Sequence, residues 1–198
     1  MKSRVQPARP YRPFLSRRAL CLAGVAGLAS CLGGAARAES PVKTIDVTYD
    51  GETYVLKAVM FAALPPATAW EVLTDFPNMP KWVPNLRESS IIKPGEKQFT
   101  IEQKGTAKFG AFTFNWASQR EVVLTQQSSI LSTQVKGSLK KQQSLMMLSA
   151  EGEGTRMNYR LELVPTFPAS AALSEDLLKR ETEEQFVAIV GEMLKRKK

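Results

Sequence analysis

The stretch from Tyr54 to Pro84, YVLKAVMFAALPPATAWEVLTDFPNMPKWVP, constrains the fold more than any other part of the chain. Tyr54–Ala62 is rich in β-branched and aromatic residues and lacks Gly and Pro, which predicts a mostly buried strand. Pro65 and Pro66 cannot extend a strand ladder, but proline is tolerated in a helix's first turn. Beyond them Ala69, Trp70, Leu73 and Phe76 recur at the i, i+3/i+4 spacing of one helix face. Pro77 ends that helix, and Asn78–Val83 has room for about one further turn before Pro84. A strand followed at once by two short helices with a kink between them fits few architectures.

Downstream the pattern is strand after strand. Thr44–Asp50 alternates, and Asp50-Gly51 is a tight-turn dipeptide, so residues 44–62 read as a hairpin. Further strands are expected over Leu86–Ile92, Gln98–Thr106, Ala111–Thr125, Ile130–Lys136, Lys140–Ala150 and Arg156–Val164, with Gly105–Gly110 as a turn. The spacing suits an antiparallel meander and leaves no room for βαβ crossovers. A last helix begins at Ser174, a hydroxyl cap followed by Glu175 and Asp176. Its apolar stripe is Leu178, Phe186, Ile189, Val190 and Met193.

The segment ALPPATAWEVLTDFPNMPKWVPNL resembles the opening of the START-like, helix-grip (SRPBCC) superfamily, and among its branches the coenzyme Q-binding and polyketide cyclase/dehydrase type proteins. The likeness spans roughly residues 50–197 and contains no invariant catalytic residue. It implies an α+β fold: a curved antiparallel sheet of six to seven strands around a long C-terminal helix, with two short helices after the first long strand. It also implies a hydrophobic small molecule, such as a lipid, quinone or polyketide-like compound, held between helix and sheet.

Strand parity nominates the lining. In Ala111–Thr125 the apolar parity holds Phe112, Phe114 and Trp116, with Arg120 as its exception. Met147 and Tyr159 come from the last two strands, Phe186, Val190 and Met193 from the helix, and Met79 and Trp82 from the second short helix. Any one of them taken alone reads as plain core, and the set on one concave surface reads as a cavity lining. Arg120 needs a partner, either an ion pair, a strand-end position that reaches water, or a ligand carbonyl or carboxylate. Trp82 either seals the core or forms a lip at the entrance.

Residues 1–38 hold seven Lys/Arg and no acid, then the apolar run Ala19–Leu32 and the triplet Ala36-Arg37-Ala38. This is the pattern of a cleaved export signal, leaving residues 39–198 as one ligand-binding domain in the periplasm or outside the cell. An uncleaved anchor is the alternative, although the run is short for a span of about 20 residues. Arg17-Arg18 permits twin-arginine export, and Leu28-Ala29-Ser30-Cys31 permits lipidation at Cys31. Without the signal, 20 basic residues face 19 acidic ones, so the whole-chain charge of +8 carries no case for nucleic acid.

Both cysteines, Cys21 and Cys31, lie in that segment, and the chain has no histidine. Most zinc sites and the Ser-His and Cys-His dyads are thereby removed, and no cofactor is expected. Three functions remain: a carrier of an apolar molecule with transient membrane contact, a cyclase/dehydratase using Tyr159, Glu102 or Arg120 on a carbonyl, or a ligand-free interaction domain. Oligomeric state is not legible.

Overall fold

The computed structural model describes residues 40–109, 112–166 and 174–197. The segment read as an export signal, both cysteines and most of the connection before the last helix therefore lie outside the described residues. So do the side chains of Phe109 and Phe112.

Eight strands form one antiparallel sheet: β1 (Val42–Tyr49), β2 (Tyr54–Ala62), β3 (Leu86–Lys93), β4 (Gln98–Phe109), β5 (Phe112–Thr125), β6 (Ser129–Gly137), β7 (Leu139–Glu151) and β8 (Gly154–Pro165). Their spatial order is β1-β2-β8-β7-β6-β5-β4-β3. Among the described residues two helices accompany them, α1 (Pro66–Thr74) and α2 (Glu175–Arg196), with a 3₁₀-helix over Phe76–Lys81. The helix-grip architecture is thus present, with eight strands where six to seven were expected. Gly105 is paired within β4, which continues to Phe109, so residues 105–109 are strand where a turn was expected, and Gly110 lies outside the described residues.

The sheet bends where its ladders slip. Register shifts fall in β1 (Val42/Thr44), twice in β3, opposite Gln119/Arg120 in β6, and near the start of β7. Each extra residue locally raises twist and bends its strand, which makes one face concave. β2 buries its alternate residues Tyr54, Leu56, Ala58, Met60 and Ala62 on that face.

The helices close over it. Pro65 stands at the N-cap of α1 with extended backbone, and Ala69, Val72 and Leu73 are buried. Ser174 Oγ accepts the Leu177 N–H at 3.2 Å, the expected cap of α2. Of the α2 stripe, Phe186, Val190 and Met193 are buried, while Leu178 and Ile189 pack at the core's margin. The helix lies closest to β1, β2 and α1, and so covers the β1–β2 side of the concave face more closely than the β4–β6 side.

Candidate ligand site on the concave face

Strand alternation carries a row of polar side chains across the apolar concave face: Gln103 on β4, Arg120 on β5, Ser132 on β6, Ser144 on β7 and Tyr159 on β8. Arg120 shares its parity with the fully buried Val122 and pairs across the ladder with the fully buried Ile101. One Arg120 Nη2–H donates to Gln103 Oε1. Gln103 Nε2 donates in turn to Ser89 Oγ at 3.0 Å and approaches Met79 Sδ at 3.7 Å. The 3₁₀-helix is thereby tied to the same row.

The row is incomplete. Arg120 Nε and Ser132 Oγ are shut off from solvent and have no partner among the described residues. No carboxylate reaches Arg120 among those residues, so of the alternatives open for it the ion pair is absent there. Burial pushes the guanidinium down from its ordinary value, while Tyr159 acts the other way. Burial pushes the Tyr159 phenol up, against the opposing effects of Arg120 and a Ser144 hydrogen bond. A phenol so shifted stays protonated near neutral pH and can donate. Leaving a cation buried without an anion costs several kcal/mol, and each orphaned donor adds to that cost.

Of the eleven residues nominated from sequence, several converge here. Phe186 sets its ring edge-to-face on Tyr159, with centroids 5.1 Å apart, beside buried Val190 and Met193. Met79 and Trp82 are half-buried against the core, and Trp82 Nε1 is a third buried donor without a partner among the described residues. Trp116 is half-buried over Gly105, where a Cβ would come within 2.5 Å of its ring.

Others do not converge. Met147 is 46% exposed and pairs with Asn158, one residue out of phase with the inward pair Met146–Tyr159, so it lies on the convex face. The run Leu145–Leu148 is apolar at every position, so apolarity cannot set its phase. Phe114 has the inward parity but stands 43% exposed, beyond the part of the sheet that the helix covers. The Phe112 side chain lies outside the described residues. Glu102, weighed as a group acting on a bound carbonyl, is on the convex side, where it accepts from Gln119 Nε2 at 2.9 Å. Sequence reading missed Gln103, Ser132 and Ser144, whose signal was polar character at an inward position.

The comparisons agree with this geometry. The family model described as "Polyketide cyclase / dehydrase and lipid transport" matches residues 62–188. No curated protein matches the chain in sequence. Among solved structures, TTHA0849 from Thermus thermophilus aligns with TM-score 0.64 at 13% identity, covering 73% of this chain and 99% of that one. The Zhui aromatase/cyclase from Streptomyces sp. R1128 aligns at 0.59 and 16% identity, covering 73% and 95%. A STAR-related lipid transfer protein fragment from Xanthomonas axonopodis aligns at 0.57 and 10%, covering 76% and 98%. At such identities these likenesses concern the fold. The matched span covers α1, the 3₁₀-helix, β3 to β8 and the first half of α2, and the chain belongs to the polyketide cyclase/dehydrase and lipid transport family.

Proposed function

We propose that the protein is an exported carrier of a hydrophobic small molecule that bears one oxygen-rich polar group, seated against Arg120. The observation that supports this reading most directly is the Arg120 guanidinium, whose buried Nε has no partner among the described residues, on the polar row that crosses the apolar face. A carboxylate, phosphate or polarised carbonyl there would satisfy Arg120 and lie within reach of the Ser132 and Tyr159 hydroxyls. The rest of the ligand would meet Phe186, Val190, Met193, Met79 and Trp82 (residues that ask for apolar surface). Lipids, quinones with a carbonyl, and polyketide-like acids all have this chemistry. The export pattern of residues 1–38 supports a periplasmic or extracellular setting.

The polar groups described at the site are mainly donors, with Glu102 turned to the other face. Such a site can hold an oxyanion or polarise a carbonyl, but it offers no carboxylate to take a proton. That favours binding over cyclase or dehydratase chemistry.

Native mass spectrometry of protein purified from its own compartment, followed by extraction, tests the reading. A co-purified apolar molecule with an acidic or carbonyl oxygen, depleted in Arg120→Met, is the expected result. Protein that purifies empty and takes up no such molecule from lipid extracts would refute it. Turnover of an added polyketide-like substrate would move the assignment to the enzyme.

A further inference from the structure

Among the paired inward positions of β4 to β8, Arg120 is the only charged residue. A lysine placed there could shed its proton, but a guanidinium keeps its charge at neutral pH. The chain already gives it a neutral acceptor, the side-chain carbonyl oxygen of Gln103. What the chain withholds is an anion. Of its 19 acidic side chains only Glu39 lies outside the described residues, and none of the others forms an ion pair with Arg120. The titratable group that acts on it is the Tyr159 phenol, itself held protonated by burial.

Arg120 and Tyr159 are surrounded by protein as densely as the core, yet each keeps part of its surface accessible. Accessible surface at such depth lines a hollow, the setting in which small molecules are held. The headgroup that belongs there follows from charge. A ketone or quinone oxygen would duplicate the Gln103 acceptor and leave the cation uncompensated among apolar groups. A phosphomonoester, at about −1.5 to −2 near neutral pH, would bury more negative charge than one guanidinium balances. A carboxylate matches it one for one, and its two oxygens can also accept from hydroxyls of the row such as Ser132, whose Oγ has no partner among the described residues. A phosphodiester has the same charge but carries a second substituent beyond its anion. There Gln103, bonded to Ser89 Oγ at 3.0 Å and lying against Met79, closes the row.

We propose that the molecule held at Arg120 is a carboxylic acid bound as its anion, an apolar body ending in one carboxylate, and that neutral carbonyl compounds such as quinones are discriminated against. This rests on the carrier reading and narrows it to one class of ligand.

Isothermal titration calorimetry on the delipidated protein at neutral pH tests it. The probes are dodecanoic acid, methyl dodecanoate, dodecyl phosphate and lysophosphatidylglycerol. The acid should bind at least about tenfold more tightly than its ester, the factor expected for a hydrogen bond to a charged group. Arg120→Met should bring the two level by weakening the acid alone. The wild-type comparison of acid with ester needs no variant, so it decides the matter even if the substitution unfolds the protein. An ester that binds as tightly as the acid overturns the proposal and leaves the carrier reading standing, as does tighter binding of either phosphate compound. A preference for the acid that survives intact in folded Arg120→Met would place the anion elsewhere and overturn it too. Binding of none of the four, with no uptake from lipid extracts, overturns the carrier reading and the proposal together.

Discussion

The Arg196 guanidinium lies 4.7 Å from the centroid of the Trp82 ring, joining the last turn of α2 to the residue that follows the 3₁₀-helix. The same side chain reaches Asp75 Oδ2 at 2.9 Å and Glu192 Oε1 at 2.9 Å. Further along, Asn85 Nδ2 donates to Glu181 Oε2 at 2.9 Å. The segment Asp75–Asn85 is thus pinned to α2 at both of its ends.

Such a pinned, proline-rich strip is the natural place for the site to open. Arg196→Ala should lower stability by about 1 kcal/mol while raising the ligand exchange rate several-fold. Trp82→Ala should do the same, and the double variant should be less than additive because the two changes remove one shared contact. Urea melts and stopped-flow transfer of a fluorescent lipid measure both effects. Strict additivity would show that the pair is not coupled.

Arg120→Met should stabilise the ligand-free protein by about 1–3 kcal/mol, because an unpaired buried cation is replaced by apolar atoms of similar length. Ligand affinity should fall in the same variant. Loss of both stability and affinity would mean that the Arg120 hydrogen bond to Gln103 outweighs the cost of the buried charge. Paired denaturation and binding titrations separate the two cases.

Phe186→Ala should cost about 3–5 kcal/mol, as expected for a buried aromatic ring packed on Tyr159. A much smaller loss with weakened binding would place the ring against open space. The measurement is a chemical melt with and without extracted lipid.

Alkaline stability should depend on two phenols. Burial is the main cause that raises both Tyr54 and Tyr159, the latter despite Arg120. A raised folded value means the native state holds its protons longer than the unfolded chain. The stability they contribute is therefore complete below about pH 10, the unfolded value, and is lost as pH rises toward the folded ones. Tyr159→Phe should flatten the decline of stability above that pH without changing its course near neutrality. Melting temperatures measured across the alkaline range give the answer, and an unchanged decline would contradict it.

Much of the fold was legible because single residues punctuate it: Pro65 and Pro66 at the start of α1, Asp50-Gly51 between β1 and β2, Ser174 before α2. Arg120 was legible as an exception because β5 keeps its parity without a slip from Phe112 to Thr125. Met147 was misplaced because a run apolar on every residue has no readable phase. Gly105 read as a turn residue, yet its missing Cβ makes room for Trp116 and the Asn85 carbonyl within a paired strand. The exposure of Phe114 could not be read, since it depends on where β3 and β6 stop rather than on any residue of β5. The contact of Arg196 with Trp82 joins residues 114 positions apart, and no local pattern announces it.

The strand order has a consequence for the sequence of events during synthesis. From β3 to β8 every ladder is a hairpin between consecutive strands, which can close as soon as its second strand emerges. The β2–β8 seam is different: its partners are separated by 93 positions (Ala62 to Thr155) up to 109 (Tyr54 to Leu163). The first hairpin and α1 must therefore wait, apolar faces unburied, until nearly the whole chain has left the ribosome. For most of its production the polypeptide is a string of local hairpins that is still open at its oldest end.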